Sequence, residues 1–128
     1  MESNKPNIRI ETKEEFITIY LEGNLEYGML EEIKVELQRQ NLETDQGYII
    51  DVQRANNIDS TGFGMIVNFA KKVSVKGKKI VFIVVDDFIR NLFAISQVDK
   101  VFPIVDNMTA AQKQIIGTWT GELSITEY

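Results

Sequence analysis

The sequence lacks cysteine and histidine altogether, and only two of its 128 residues are proline. Without cysteine there can be no disulfide and no thiol nucleophile, and without either residue there can be no zinc site built from Cys or His. The absence of histidine also removes the general base that most serine hydrolases use. These absences predict a protein without a metal site, and the lack of cysteine fits a reducing compartment.

Long apolar runs and positive charge are also scarce. No run reaches the roughly 20 apolar residues that span a bilayer, and residues 1–7 contain no apolar signal core. We therefore expect a cytoplasmic protein with no membrane partner and with a flexible segment over residues 1–7. The formal net charge of −5 argues against a nucleic-acid partner. The five lysines from Lys71 to Lys79 are interpreted mainly as a solvated helix end, with binding to an acidic partner as the alternative.

The apolar residues that are present predict alternating strands and helices. β-branched and aromatic residues fill the segments assigned to strands, and apolar spacings of three and four mark the helices. The predicted order is β-β-α-β-α-β-α-β-α, with strands at 8–12, 16–22, 48–52, 79–85 and 102–105 and helices at 27–40, 60–75, 88–95 and 109–116. This order predicts one α/β domain over residues 8–116, with helices beside a mixed sheet. A tail of uncertain role follows over residues 117–128.

Turn residues divide these segments. Gly23 and Asn24 are expected to end the second strand, and Gly77 is expected to end the second helix. Strand 79–85 is the most apolar and is expected to be central. Pro103 places the last strand at an edge of the sheet.

Two further helix starts carry candidate caps. Asp86 and Asp87 could be taken for a metal pair, but neighbouring acids at a helix start favour capping and dipole interactions. Thr109 is a plausible cap for the last helix.

The stretch from Ile58 to Gly64 lies between an apolar strand and a long helix, after an expected polar turn at Asn56 and Asn57. Ser60 is expected at the helix entrance, where a hydroxyl can cap free N–H groups and where a phosphate would be favourable. Two glycines in this first turn weaken the helix by about 0.5–1 kcal/mol each relative to alanine. Either they let another surface approach closely, or they serve packing within the fold.

The helix that follows carries more apolar residues than one buried face needs. Phe63, Met65 and Phe69 are therefore either core residues or partly exposed for a partner. The sequence leaves these two interpretations open.

Three enzyme classes fit the sequence poorly. A serine hydrolase needs a base to activate its nucleophile, and no Ser-x-x-Lys spacing accompanies Ser60. The lysine and spacing of a P-loop are absent, and Gly62-x-Gly64 lacks the third glycine of a dinucleotide fingerprint. We therefore expect no catalytic residue and no cofactor, and we interpret Ser60 as a substrate rather than a nucleophile.

Asp51 and the residues from Ile58 to Val67 resemble the signature of STAS domains, most closely that of bacterial anti-sigma factor antagonists. In that family a strand ends in Asp, and an Asp-Ser-[Ser/Thr]-Gly-Leu-Gly turn opens the next helix. This chain has Phe63 in place of the usual leucine, which is an apolar replacement. The resemblance covers residues 8–116 and implies the strand and helix order given above.

The resemblance also implies a partner switch that regulates transcription during stress or sporulation. The unphosphorylated protein would bind an anti-sigma factor that is also a Ser/Thr kinase and so release the sigma factor. That kinase would phosphorylate Ser60, with Thr61 as a secondary acceptor, and a phosphatase would reverse the step. The predicted partner-binding residues are Asp59, Thr61, Gly62, Phe63, Gly64 and Met65, while Asp51 is expected to be structural.

A function of another class stays open. STAS-like domains also serve as scaffold or sensor subunits of signalling assemblies, and the tail at 117–128 would then be an assembly element.

Overall fold

Over residues 5–43 and 46–117, which are the residues described, the computed structural model contains five strands and four helices. Their bounds are β1 Asn7–Thr12, β2 Phe16–Leu25, α1 Glu31–Gln38, β3 Gly47–Ile58, α2 Ser60–Val75, β4 Ile80–Ile83, α3 Asp87–Ile95, β5 Ile104–Val105 and α4 Met108–Gln112. A 3-10 turn at Val98–Lys100 precedes β5, and a π-helical turn at Lys113–Gly117 continues α4. The predicted order of strands and helices is confirmed.

The strands form one mixed sheet in the order β1-β2-β3-β4-β5. β1 is antiparallel to β2, and the other pairs are parallel. Since parallel neighbours need a crossover, a helix follows each of β2, β3 and β4. The edge position predicted for the last strand is confirmed, and β1 forms the other edge. β4 is an interior strand as expected, but the middle strand of the sheet is β3.

The helices cover both faces of the sheet. On one face, α1, α2 and α3 bury Ile33, Ile66 and Phe93 in a single cluster with Ile50 and Phe82 of the sheet. On the other face, a smaller cluster joins Ala111 of α4 and Ile115 of the π-helical turn to alternate residues of the strands, namely Ile49, Val81 and Ile83. Because both faces of β3 and β4 are covered, these strands are apolar without clean alternation.

Two strands are longer than predicted. β2 continues to Leu25 through register shifts at Tyr20/Glu22 and Gly23/Asn24, and β3 continues to Ile58. The predicted strand end at Gly23 and Asn24 and the predicted turn at Asn56 and Asn57 are therefore wrong. Asn24 lies opposite Asn57 on the neighbouring strand. Asparagine and glycine favour strands only weakly, but pairing between β2 and β3, with register shifts that accommodate the extra residues, keeps both segments in the sheet.

The first helix is shorter than predicted. It begins at Glu31 rather than at Tyr27, and Gly28 adopts a φ of +85° in the turn before it. Such a φ is not helical, and only glycine adopts it easily. The residues from Tyr27 to Met29 therefore form a turn before α1 and not its first turn. At the N-terminus, Asn7 belongs to β1 rather than to a flexible segment, while residues 1–4 and 118–128 lie outside the described residues.

Most of the helix ends follow local rules. Asp86 caps α3 by accepting a hydrogen bond from the backbone N–H of Ile89 at 3.0 Å, and Gly77 follows α2 with a φ of +80°, as predicted. The cap of α4 is Asn107, whose Oδ1 accepts from the N–H of Ala110 at 2.8 Å, and not Thr109. Asn107 precedes the first helical residue, which is where a side chain can reach the free N–H groups.

Helix α2 meets the end of β2 at Gly62. A β-carbon added there would lie 2.1 Å from the carbonyl oxygen of Leu25, whereas one added at Gly64 would meet nothing within 4 Å. The N–H of Asp59 donates to the same carbonyl oxygen at 3.2 Å. Of the two glycines, Gly62 is therefore required by a close approach inside the fold.

Substitution of the two glycines by alanine should have opposite effects on stability. Gly62→Ala must displace backbone and should lower the free energy of unfolding by about 2 kcal/mol or more. Gly64→Ala should raise it by about 0.5–1 kcal/mol because alanine is the better helix former. Urea unfolding of both variants measures this, and equal effects would contradict the close approach at Gly62.

Candidate functional site

The candidate site lies at the first turn of α2, where the chain leaves β3. Asp59 is the N-cap residue, with extended backbone, and its Oδ1 accepts a hydrogen bond from the N–H of Gly62 at 2.9 Å. Ser60 is the first helical residue and is exposed. Ser60 is therefore at the helix entrance as predicted, but the capping role expected of its hydroxyl belongs to Asp59.

The second carboxylate oxygen of Asp59 holds the turn that precedes α1. Asp59 Oδ2 accepts from the backbone N–H of Tyr27 at 2.9 Å. The N–H groups of Gly62 and then of Tyr27 are the main causes of a lowered pKa for Asp59, because these hydrogen bonds favour the ionised form. A fixed negative charge thus lies next to the Ser60 hydroxyl.

A groove of about 520 Å³ runs between this turn and the start of α2. From α2 it is lined by Ser60, Thr61, Gly64, Met65 and Asn68, and from the other side by Tyr27, Gly28, Leu30, Glu31 and Lys34. The side chain of Tyr27 is 80% exposed and that of Met29 is 44% exposed. The groove thus combines hydroxyl groups, charges of both signs and uncovered apolar surface.

Sequence reasoning missed the Tyr27 side of this groove. The predicted first helix begins at Tyr27, so the prediction contains no separate turn before α1 that could form one side of a groove. The available signal was Gly28 between two large apolar residues, Tyr27 and Met29, in a stretch where glycine breaks a helix.

The predicted partner-binding residues differ in their exposure. Thr61 is exposed, and Asp59, Phe63, Gly64 and Met65 are half-buried, whereas Gly62 is buried. Gly62 packs against Leu25 inside the fold and is therefore not accessible to a partner.

The three apolar residues left open by the sequence have different environments. Phe69 is buried and packs edge-to-face on Tyr48, with ring centroids 5.3 Å apart. Phe63 packs edge-to-face on Phe93 at 5.0 Å, while Met65 lines the groove. Phe69 is therefore a core residue, whereas Phe63 and Met65 are each partly exposed to solvent.

Asp51 lies inside β3 and not at its end, contrary to the prediction. It is buried, and its two carboxylate oxygens accept from the backbone N–H of Gln53 at 2.8 Å and from the Gln53 side-chain amide at 3.1 Å. These contacts are local to the strand and are separated from Ser60 by the rest of β3.

Neither a metal site nor a membrane span was found in the described part of the chain. No group of three or more acidic residues is arranged to hold a metal ion there. In the same residues, no helix has the length and apolar character needed to cross a bilayer.

A family model of the STAS domain matches residues 7–111. The chain belongs to the STAS-domain family. Its mixed five-stranded sheet with four helices is accordingly the structure of a single STAS domain. The matched range includes the whole of the groove and every predicted site residue. A search of curated protein sequences gave no significant match.

Solved structures of anti-sigma factor antagonists share this STAS fold. The one from Mycobacterium paratuberculosis is 12% identical with a TM-score of 0.72, covering 88% of this chain and 95% of its own. Unphosphorylated SpoIIAA is 17% identical with a TM-score of 0.71, covering 87% and 97%. The phosphorylated form of SpoIIAA, a Bacillus cell fate determinant, is 16% identical with a TM-score of 0.67, covering 85% and 99%. At these identities the likeness establishes the fold.

Replacing Asp59 and Ser60 one at a time should show that the Asp59 cap contributes to stability and that the exposed Ser60 hydroxyl does not. Asp59→Ala should lower the melting temperature by a few degrees because the helix and the Tyr27 turn both lose an acceptor. Ser60→Ala should leave the melting temperature nearly unchanged. Thermal unfolding followed by circular dichroism measures both.

The effect of Asp59→Ala should also depend on pH. A lowered pKa in the folded state stabilises the protein above the ordinary value of about 3.9. This stabilisation disappears as the pH falls through the folded-state pKa. The difference in melting temperature between wild type and Asp59→Ala should therefore be full at about pH 7 and shrink below about pH 4. A constant difference would exclude a role for the carboxylate charge.

Proposed function

We propose that this STAS domain is an anti-sigma factor antagonist that is switched by phosphorylation of Ser60. In its unphosphorylated form it binds an anti-sigma factor that is also a Ser/Thr kinase, and the sigma factor is released. The kinase transfers the γ-phosphoryl group of ATP to the Ser60 hydroxyl, and a phosphatase removes it. The proposed setting is cytoplasmic regulation of transcription, in stress or sporulation.

One observation carries this proposal: Ser60 is exposed at the start of α2, and the helix is capped by Asp59 and not by Ser60. Ser60 is exposed, and the N–H groups of Gly62 and Phe63 are already bonded to the carboxylate and the backbone carbonyl of Asp59. A kinase can therefore reach the hydroxyl without opening the helix. The two solved forms of SpoIIAA, unphosphorylated and phosphorylated, support a switch of this kind on the same fold.

Charge explains how the modification would end binding. A phosphoserine adds about −1.5 to −2 charges at pH 7, beside ionised Asp59 and in the same groove as Glu31. The positive end of the α2 dipole tolerates this charge within the fold. At the centre of an interface, repulsion and desolvation would oppose docking. A loss of about 3–4 kcal/mol corresponds to a few-hundredfold weaker affinity.

The remaining residues of the groove have proposed roles in docking. Asp59 orients the Ser60 hydroxyl or contacts the kinase, and Thr61 is an exposed neighbour and secondary acceptor. Gly64 leaves space for close approach, while Phe63 and Met65 supply apolar contact. To these the groove adds Tyr27, whose ring is uncovered although its backbone N–H is fixed by Asp59.

Incubation with the anti-sigma factor kinase and ATP should add one phosphate to the wild-type protein. Peptide mapping should place it on Ser60, and Thr61→Ala should be modified at the wild-type rate. Ser60→Ala should lose this modification, leaving at most slow modification of Thr61. Ser60→Ala should retain wild-type affinity for the kinase, whereas the phosphorylated protein should bind a few hundredfold more weakly. Intact-mass spectrometry and titration calorimetry measure these outcomes.

Modification of Ser60→Ala at the wild-type rate would show that the acceptor is another residue. No added mass with a kinase of demonstrated activity would favour the scaffold or sensor function instead. Size-exclusion chromatography would then distinguish a large assembly from a free monomer or dimer.

Truncating the exposed ring of Tyr27 should weaken kinase binding about tenfold or more, because exposed aromatic residues beside a docking site are frequent hot spots. Tyr27→Ala keeps the backbone hydrogen bond to Asp59, so the melting temperature should change little. Val75→Ala is the matched control, since Val75 is 85% exposed at the far end of α2. Equal affinities of the two variants would remove Tyr27 from the interface.

A further inference from the structure

A second cavity lies between α1 and α2, further along α2 from Ser60. It has a volume of about 220 Å³. Its apolar lining comes from Leu37 of α1, Leu42 of the following loop, and Met65 and Phe69 of α2. Leu37 and Phe69 belong to the buried core, so the inner wall of the cavity is apolar.

Two lysines, Lys34 and Lys72, line this cavity, and none of the described residues that line it is acidic. Ion pairs found in the described part of the chain include Lys76 with Glu43 at 2.9 Å, but neither Lys34 nor Lys72 forms one there. An apolar cavity whose described lining has two cations and no carboxylate is complementary to an anion that carries an apolar body.

We propose that this cavity binds a small amphiphilic monocarboxylate, with its apolar part between α1 and α2 and its carboxylate at Lys34 and Lys72. The volume sets the size of the ligand. A cavity of about 150 Å³ in another protein is enough for benzene, so the cavity between α1 and α2 fits a chain of about seven or eight carbons. The amide side chains of Gln38 and Asn68, which also line it, can donate hydrogen bonds to the carboxylate.

The cavity adjoins the groove at Ser60. Lys34, Met65 and Asn68 line both. A ligand held by Lys34 and packed on Met65 therefore alters the charge and shape of the groove in which Ser60 lies. The binding site itself stands independently of the proposed phosphorylation, since its geometry involves neither the hydroxyl nor a kinase.

The test is a titration of the isotope-labelled full chain with octanoate, kept below its micelle concentration and followed by amide NMR. Saturating shifts are expected at Leu37, Leu42, Met65 and Phe69. Octylamine has the same chain with the opposite charge and should not bind. The double variant Lys34→Gln/Lys72→Gln should weaken octanoate binding about fivefold or more. Lys71→Gln/Lys100→Gln makes the same change of net charge at exposed lysines outside the cavity and should have no effect.

Three outcomes would overturn the proposal. Shifts that are scattered over the surface, or absent, would show that the cavity is not a binding site. Equal affinities for octanoate and octylamine would show that apolar contact alone accounts for binding and that the cavity does not select an anion. Equal affinities of the two double variants would show that net charge, and not these two lysines, attracts the anion.

Discussion

The carboxylate of Asp59 connects the two sides of the groove at Ser60. One of its oxygens caps α2 through Gly62 and the other fixes the turn before α1 through Tyr27, each at 2.9 Å. These segments are distant in sequence, and this one side chain bonds to both of them. Because Asp59 satisfies the helix N-terminus, the neighbouring Ser60 hydroxyl is left exposed and accessible.

Close packing makes that arrangement possible. The carbonyl oxygen of Leu25 accepts from the N–H of Asp59 and lies where a β-carbon on Gly62 would be. The end of β2 is thereby held against the first turn of α2. Since β2 and β3 are parallel, their carboxyl ends share one edge of the sheet, and the loops that follow them form the two sides of the groove.

The groove at Ser60 and the apolar cavity meet along one side of α2. The proposed switch acts by adding charge to the groove, whereas the proposed ligand would act from the cavity through Lys34 and Met65. In both proposals part of the apolar contact comes from α2, which carries more apolar surface than the sheet covers. Phe69 and Ile66 serve the core, while Met65 remains available at the junction of groove and cavity.

The sequence by itself determined the order of strands and helices, the bounds of α2, the cap at Asp86 and the place of Ser60 at a helix entrance. These features follow from apolar spacing and from side-chain bonds within three or four residues, which are local. Only the tertiary structure decided the lengths of β2 and β3, the choice of Asp59 as cap, the internal use of Gly62 and the Tyr27 side of the groove. The cap itself spans only three residues, but Asp59 and Ser60 are both favoured cap residues, so local rules did not choose between them. The other features depend on groups more than 30 residues apart that pairing and packing bring into contact, and neither propensity nor periodicity records such contacts.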